Sequence, residues 1–195
     1  MDKIEKIIFP ATVACTAQQL YLLGTFNPDG ALFLQTQAFV CYIPGPPEGM
    51  VLGVVASEQT KENITRERMF SLNQCSVDMR SAADLAWQGY TPGNSGEGMF
   101  SYSNGSKLHV PVLDVSPHVL ECKVTQTLSI GDTLLVVSET LCIHADHRYV
   151  PPIPESGDLF DWYTDQDAKL FNPLLYSVKY YSLSDSIGQL DIKNW

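Results

Sequence analysis

The chain of 195 residues carries a formal charge of −10, with 17% charged and 45% apolar residues. Its pI near 4.6 excludes a nucleic-acid backbone as partner, because holding successive phosphates takes many Lys and Arg side chains; an anionic membrane surface is disfavoured for the same reason. The charged fraction lies below the usual ~25%, which hints at an oligomer, while one small anion held by amides and a few cations stays open.

From the N-terminus, the first β-prone run is 21–25 (YLLGT), closed by the turn formers Asn27-Pro28-Asp29-Gly30. Residues 31–42 (ALFLQTQAFVCY) follow as one long strand, so the two runs predict a hairpin. Alternation puts Leu32, Leu34, Thr36, Ala38, Val40 and Tyr42 on one face and Phe33, Gln35, Gln37, Phe39 and Cys41 on the other. The first face reads as core that narrows at Thr36 and Ala38, where another backbone or a flat ligand fits. The second mixes amides with aromatics and suits an interface or a pocket wall.

Residues 44–49 (PGPPEG) read as a rigid turn, and 50–56 (MVLGVVA) as a strand buried on both faces with a bulge at Gly53. Thr60 fits the N-cap of a helix that ends near Arg68. A short strand is expected at 70–73, a helix at 81–88 and a loop at 89–98. Residues 118–128 and 132–144, joined through Ile130-Gly131-Asp132, form the clearest hairpin. The polar stretch after 145, with Pro151, Pro152 and Pro154, leads through a short helix after Thr164 to a last strand at 174–183. Several strands, few helices and no βαβ rhythm predict a mainly β fold, a β-barrel in one domain spanning 1–195.

The junction Ser57-Glu58-Gln59-Thr60-Lys61 raises a chemical question. A helix N-terminus presents unpaired N–H groups and a partial positive charge, and phosphate docks there readily. Ser57 and Thr60 supply hydroxyls, and Lys61, Arg66 and Arg68 supply cations. Plain capping with solvated cations accounts for the same residues, and on those residues alone it is the commoner outcome.

The other candidates are bland. His144 and His147 flank Asp146 at a strand end, with no third ligand at strand or helix spacing, which argues against a metal. Cys15, Cys41, Cys75, Cys122 and Cys142 are odd in number, widely spaced and free of C-x-x-C, as in a reduced, cytoplasmic protein. Cys75 has no neighbour that marks a thiolate nucleophile. The N-terminal MDKIEKIIFP lacks the apolar core of a signal peptide, and no run approaches the ~18 apolar residues of a membrane span. There is no P-loop, G-x-G-x-x-G or G-x-S-x-G.

Taken in order, these pieces resemble the flavin reductase-like, or flavoredoxin-like, family of FMN-binding split barrels. Asn27-Pro28-Asp29-Gly30 is similar to its first hairpin turn, Thr36-Gln37-Ala38 to its flavin-contacting strand, and Pro46-Pro47 to its paired prolines. Thr60-Lys61-Glu62-Asn63-Ile64 resembles its phosphate-side helix start, and Phe70-Ser71-Leu72-Asn73 the strand after it. Residues 120–146 resemble its long hairpin; Pro173-Leu174-Leu175-Tyr176 and Tyr181 resemble its closing strand. The chain departs from the pattern at Phe33, where Asn is frequent, at Ala38, where Ser is, and at Met99, where Lys is.

The resemblance implies a homodimeric split barrel with FMN, or FAD, at the interface and NAD(P)H as reductant. Its implied cofactor residues are Thr36, Gln37, Ala38, Phe39, Ser57, Thr60, Lys61 and Asn63, with no catalytic acid or base, since the flavin carries the hydride chemistry. A flavoredoxin-like electron carrier serving a protein partner is the second expectation. A barrel that has lost its cofactor and acts as a dimeric interaction module is the third. The stretch 147–172 is longer than the usual connection and is expected to form a lid.

Overall fold

The computed structural model describes residues 19–55, 57–76, 79–87, 89–91 and 100–146. The expected lid at 147–172, the last strand at 174–183, His147, Met99 and most of the 89–98 loop lie outside the described residues.

Among the described residues nine strands and two helices follow in the order β1 (Tyr21–Phe26), β2 (Leu32–Gln37), β3 (Val40–Ile43), β4 (Gly49–Val54), α1 (Glu58–Glu67), β5 (Met69–Gln74), α2 (Arg80–Ala86), β6 (Tyr102–Asn104), β7 (Pro111–Leu113), β8 (His118–Ile130) and β9 (Thr133–Ala145). Seven strands form one antiparallel sheet in the order β2-β1-β5-β8-β9-β4-β3. Strands β2 and β3, neighbours in the chain, therefore lie at opposite edges, so the sheet curls into a barrel left open between them.

The closure replaces the single strand expected over 31–42. The chain breaks at Ala38-Phe39, where Val40 N donates to Ala38 O and Gly53 N donates to Phe39 O. The Gln37 amide spans the seam, donating to Gly53 O at 2.8 Å and to Phe39 O at 3.3 Å. Gly53 pairs regularly with Leu135 and forms no bulge. The register shifts fall instead in β8–β9, at Glu121/Cys122 and Val124/Gln126, where the long hairpin must bend.

Leu23, Leu52, Ile64, Phe70, Leu72, Cys122 and Val136 fill the barrel interior. Cross-strand partners share a face, so Gln35, opposite Leu23, points inward with it. The other face of β2 packs outside the barrel: Leu32 and Leu34 join Leu22, Ala83, Ala86 and Tyr90 in a second cluster under α2. Tyr90 also exchanges backbone hydrogen bonds with Leu34.

The small β6–β7 hairpin lies against the outside of β5 and β8, held by three buried polar side chains. Ser71 Oγ donates to Pro111 O, Asn73 Oδ1 accepts from Leu113 N, and Glu121 accepts from Ser106, Lys107 and Leu108. Gly105 is required for that fit, since an added Cβ would meet Leu108 O at 2.5 Å and Glu121 Oε2 at 2.7 Å.

Candidate functional site

Helix α1 starts three residues earlier than its sequence suggests. Ser57, extended at φ −124°, is the N-cap, and its hydroxyl accepts from Thr60 N at 3.2 Å. Ser is the somewhat better cap, and Thr60 belongs to the inward face of the helix with Asn63 and Ile64. Lys61 N donates to Ser57 O. The amides of Glu58 and Gln59 are left without a partner among the described residues, as the first turn of any helix leaves some.

The Thr60 side chain carries the clearest signal. The residue is fully buried, and its Oγ1 has no hydrogen-bond partner among the described residues. Native structures rarely leave such an atom unpaired, because burying a hydroxyl without a partner costs about 1–3 kcal/mol. Gln35 Oε1 is the second such oxygen.

The neighbouring cations are already engaged. Lys61 Nζ lies 2.7 Å from Glu58 Oε1 and donates to Asp132 O at 2.6 Å, tying α1 to the β8–β9 turn. Arg66 donates to Phe26 O, and Arg68, in the left-handed region at φ 57°, donates to Val124 O and Thr125 O. An open cleft of about 650 Å³ runs along this side of the helix, lined by Glu58, Lys61, Glu62, Arg66, Asp132 and Thr133.

The expected site residues thus fall into two groups. Ser57, Thr60 and Lys61 share the first turn of α1. Asn63, one turn on, is saturated internally: its Nδ2 donates to Thr25 Oγ1 and Asn27 Oδ1, and its Oδ1 accepts from Gln59. Thr36 donates its hydroxyl to Ala83 O in α2, and Gln37 is committed to the seam. Ala38 and Phe39 form the corner at the barrel opening, with Phe39 56% exposed. Gly53 touches that corner, and Ser57 follows it by four residues, at most about 14 Å of extended chain. The corner and the helix start therefore sit within reach of one elongated ligand.

The thiols of Cys75 and Cys122 offer no nucleophile. Burial pushes the thiols of Cys75 and Cys122 up to about 12, so neither is a thiolate near neutrality. Glu121 escaped notice in the sequence because three of its four partners are backbone amides, which leave no mark in residue type. Its local signals are a lone charge between Leu120 and Cys122 and the glycine at 105.

The family model described as the flavin reductase like domain matches residues 13–181. The chain belongs to the flavin reductase-like family. Its fold recurs in the flavoredoxin of Methanosarcina acetivorans, at 24% identity and a TM-score of 0.67, covering 80% of this chain and 83% of that one. The Desulfovibrio vulgaris flavoredoxin aligns at 18% identity and a TM-score of 0.65, over 75% and 79% of the two chains. The Pseudomonas fluorescens 2-nitrobenzoate 2-nitroreductase aligns at 17% and 0.64, over 72% and 71%. These likenesses establish the split β-barrel. A comparison with curated protein sequences returns no match.

A family of flavin-binding reductases makes a flavin the group to test against these residues, and the helix start fits its phosphate. A phosphate has only acceptor oxygens when ionised. The two open amides and the orphaned Thr60 hydroxyl are donors that lack an acceptor among the described residues. The polarity of the donor set and the helix dipole agree in sign.

Proposed function

We propose that the chain is an FMN-binding flavin reductase that takes hydride from NAD(P)H. The unpaired Thr60 Oγ1 in the first turn of α1, beside two open amides, carries the reading. Ser57 shapes this turn, Thr60 and the Glu58 and Gln59 amides hold the phosphate, and Lys61 adds positive charge at the rim. The Ala38-Phe39 corner, held rigid by Gln37, supports the ring end. When bound, the flavin supplies the hydride-accepting centre, so the protein needs no acid or base of its own. Its residues orient the ring and leave one face open for a nicotinamide to stack.

The same reading pairs two copies of the chain. On the outer face of β3, β4, β9 and β8, Phe39, Cys41, Leu128 and Ile130 are exposed beside the partly covered Val51, Leu135 and Val137. Cross-strand register places Cys41, Val51 and Val137 in one row and Leu135 with Leu128 in the next. An apolar row of this extent on a chain with 17% charged residues is suited to covering by its own copy.

The test is spectroscopic and kinetic. Purified protein is expected to be yellow or to turn yellow with FMN, and to oxidise NADH or NADPH in its presence. Colourless protein that leaves flavin fluorescence unchanged at saturating concentration contradicts the proposal. The flavoredoxin likeness at 24% identity favours a second reading, an electron carrier. That reading keeps the flavin and predicts negligible steady-state NAD(P)H consumption. The reductase reading extends to a cytoplasmic setting; among the described residues no helix is long and apolar enough to cross a membrane.

A further inference from the structure

Glu121, Cys142 and His144 lie outside the helix-start site, on the outer face of the β8–β9 hairpin. Glu121 is directly opposite Cys142 in the register, and His144 follows Cys142 by two residues on the same face. One ligand atom from each comes within 4.8 Å of the other two. His144 Nε2 is 2.6 Å from Glu121 Oε1. The carboxylate is fully buried, whereas Cys142 and His144 are half-buried, and His144 lines an open cleft with Ser116 and Val119.

We propose that this trio is a site for a zinc-like divalent cation, with Cys142 Sγ, His144 Nε2 and Glu121 Oε1 as ligands and a fourth position open to the cleft. Thiolate, imidazole and carboxylate together match the borderline softness of zinc. The charge also balances, since a dication meets one carboxylate and one thiolate. The three ligands sit on paired strands, and Glu121 Oε2 is held by the amides of Lys107 and Leu108, as outer-shell hydrogen bonds hold a ligating carboxylate elsewhere.

The geometry needs a small adjustment. Ligand atoms around tetrahedral zinc lie roughly 3.3–3.8 Å apart, so the 2.6 Å His144–Glu121 contact opens by about 0.7 Å when the cation replaces the shared proton. The imidazole proton moves to Nδ1, which faces away from the carboxylate. The Cys142 thiol gives up its proton to solvent, and no electron changes hands.

Zinc content after equilibration with zinc chloride and gel filtration tests the site on the full chain, whether or not flavin is bound. About one zinc per chain is expected. Cys142→Ser and His144→Gln each weaken retention about tenfold or more, while the melting temperature of Cys142→Ser in chelator stays near wild type. Co²⁺ in flavin-stripped protein should give a sulfur-to-metal charge-transfer band that Cys142→Ser abolishes. No retained zinc, or retention equal in both variants and wild type, overturns the proposal. Zinc retention reports on this site alone, and FMN uptake on the helix start, so either can fail without the other.

Discussion

Glu121 and Thr60 are both fully buried, yet Glu121 accepts from three backbone amides and an imidazole while the Thr60 hydroxyl has no partner among the described residues. The first pattern is that of an anchor. A buried carboxylate is tolerable only when donors surround it, and here those donors fasten the β6–β7 loop to the barrel. The second pattern is the one on which the proposed phosphate site rests. A hydroxyl without an acceptor, at a helix start with two open amides, gains most when an anion arrives. The contrast is between a polar group that the fold already satisfies and one that it does not.

The largest effect expected from this contrast is at the anchor. Glu121→Ala leaves three part-buried amides and His144 without their acceptor, and should cost roughly 3–5 kcal/mol, read by urea denaturation in chelator. Burial alone would raise the Glu121 pKa. The hydrogen bonds from His144 and the amides of Lys107, Leu108 and Ser106 outweigh it and hold the group at about 2, below its ordinary 4.5. The folded-state value is depressed, so this stabilisation is complete above about pH 4.5 and drains away as pH falls toward 2. Glu121→Gln should flatten that acid limb of the stability curve. Next in size, Gly105→Ala drives a Cβ against Leu108 O and Glu121 Oε2 and should cost about 1–3 kcal/mol.

At Thr60 the signs differ. Thr60→Val keeps the shape and removes the orphaned oxygen, so unliganded stability should hold or rise by up to about 1 kcal/mol. FMN affinity should fall about tenfold, close to 1.4 kcal/mol. A stability loss without an affinity loss would move Thr60 into the anchor class. The smallest effect is expected at Gly131, at φ 56° in the β8–β9 turn. Gly131→Ala there has open space around its Cβ and only the left-handed backbone to bear, about 1 kcal/mol in a thermal melt.

Local chemistry decides how much of this was legible in the sequence. Strands β1, β4, β8 and β9 show sustained β-prone runs bounded by Gly, Pro or Asp, and they stand close to where those signals put them. The run 31–42 keeps an unbroken alternation through Ala38-Phe39, so nothing local announces the corner. Gln37 makes it by reaching Gly53, sixteen positions on, a tertiary event. Strands β6 and β7 have three residues each, and β7 begins with proline, so periodicity had no length in which to appear. The helix start was visible as a phosphate candidate, but its cap was not: Ser57 and Thr60 both suit the role, and only packing against Ile64 and Asn63 assigns it. Thr36 and Gln37 carried a functional expectation from resemblance, and their side chains bind α2 and the seam.

Comparing FMN with riboflavin, which lacks the phosphate, tests the helix-start site most directly. Equilibrium dissociation constants for both should be measured by fluorescence quenching on wild type and Thr60→Val. FMN is expected to bind wild type at least about tenfold more tightly than riboflavin, and the gap should narrow sharply in the variant. Equal affinity of wild type for the two flavins, or a gap that the variant leaves intact, would contradict a phosphate held at Thr60.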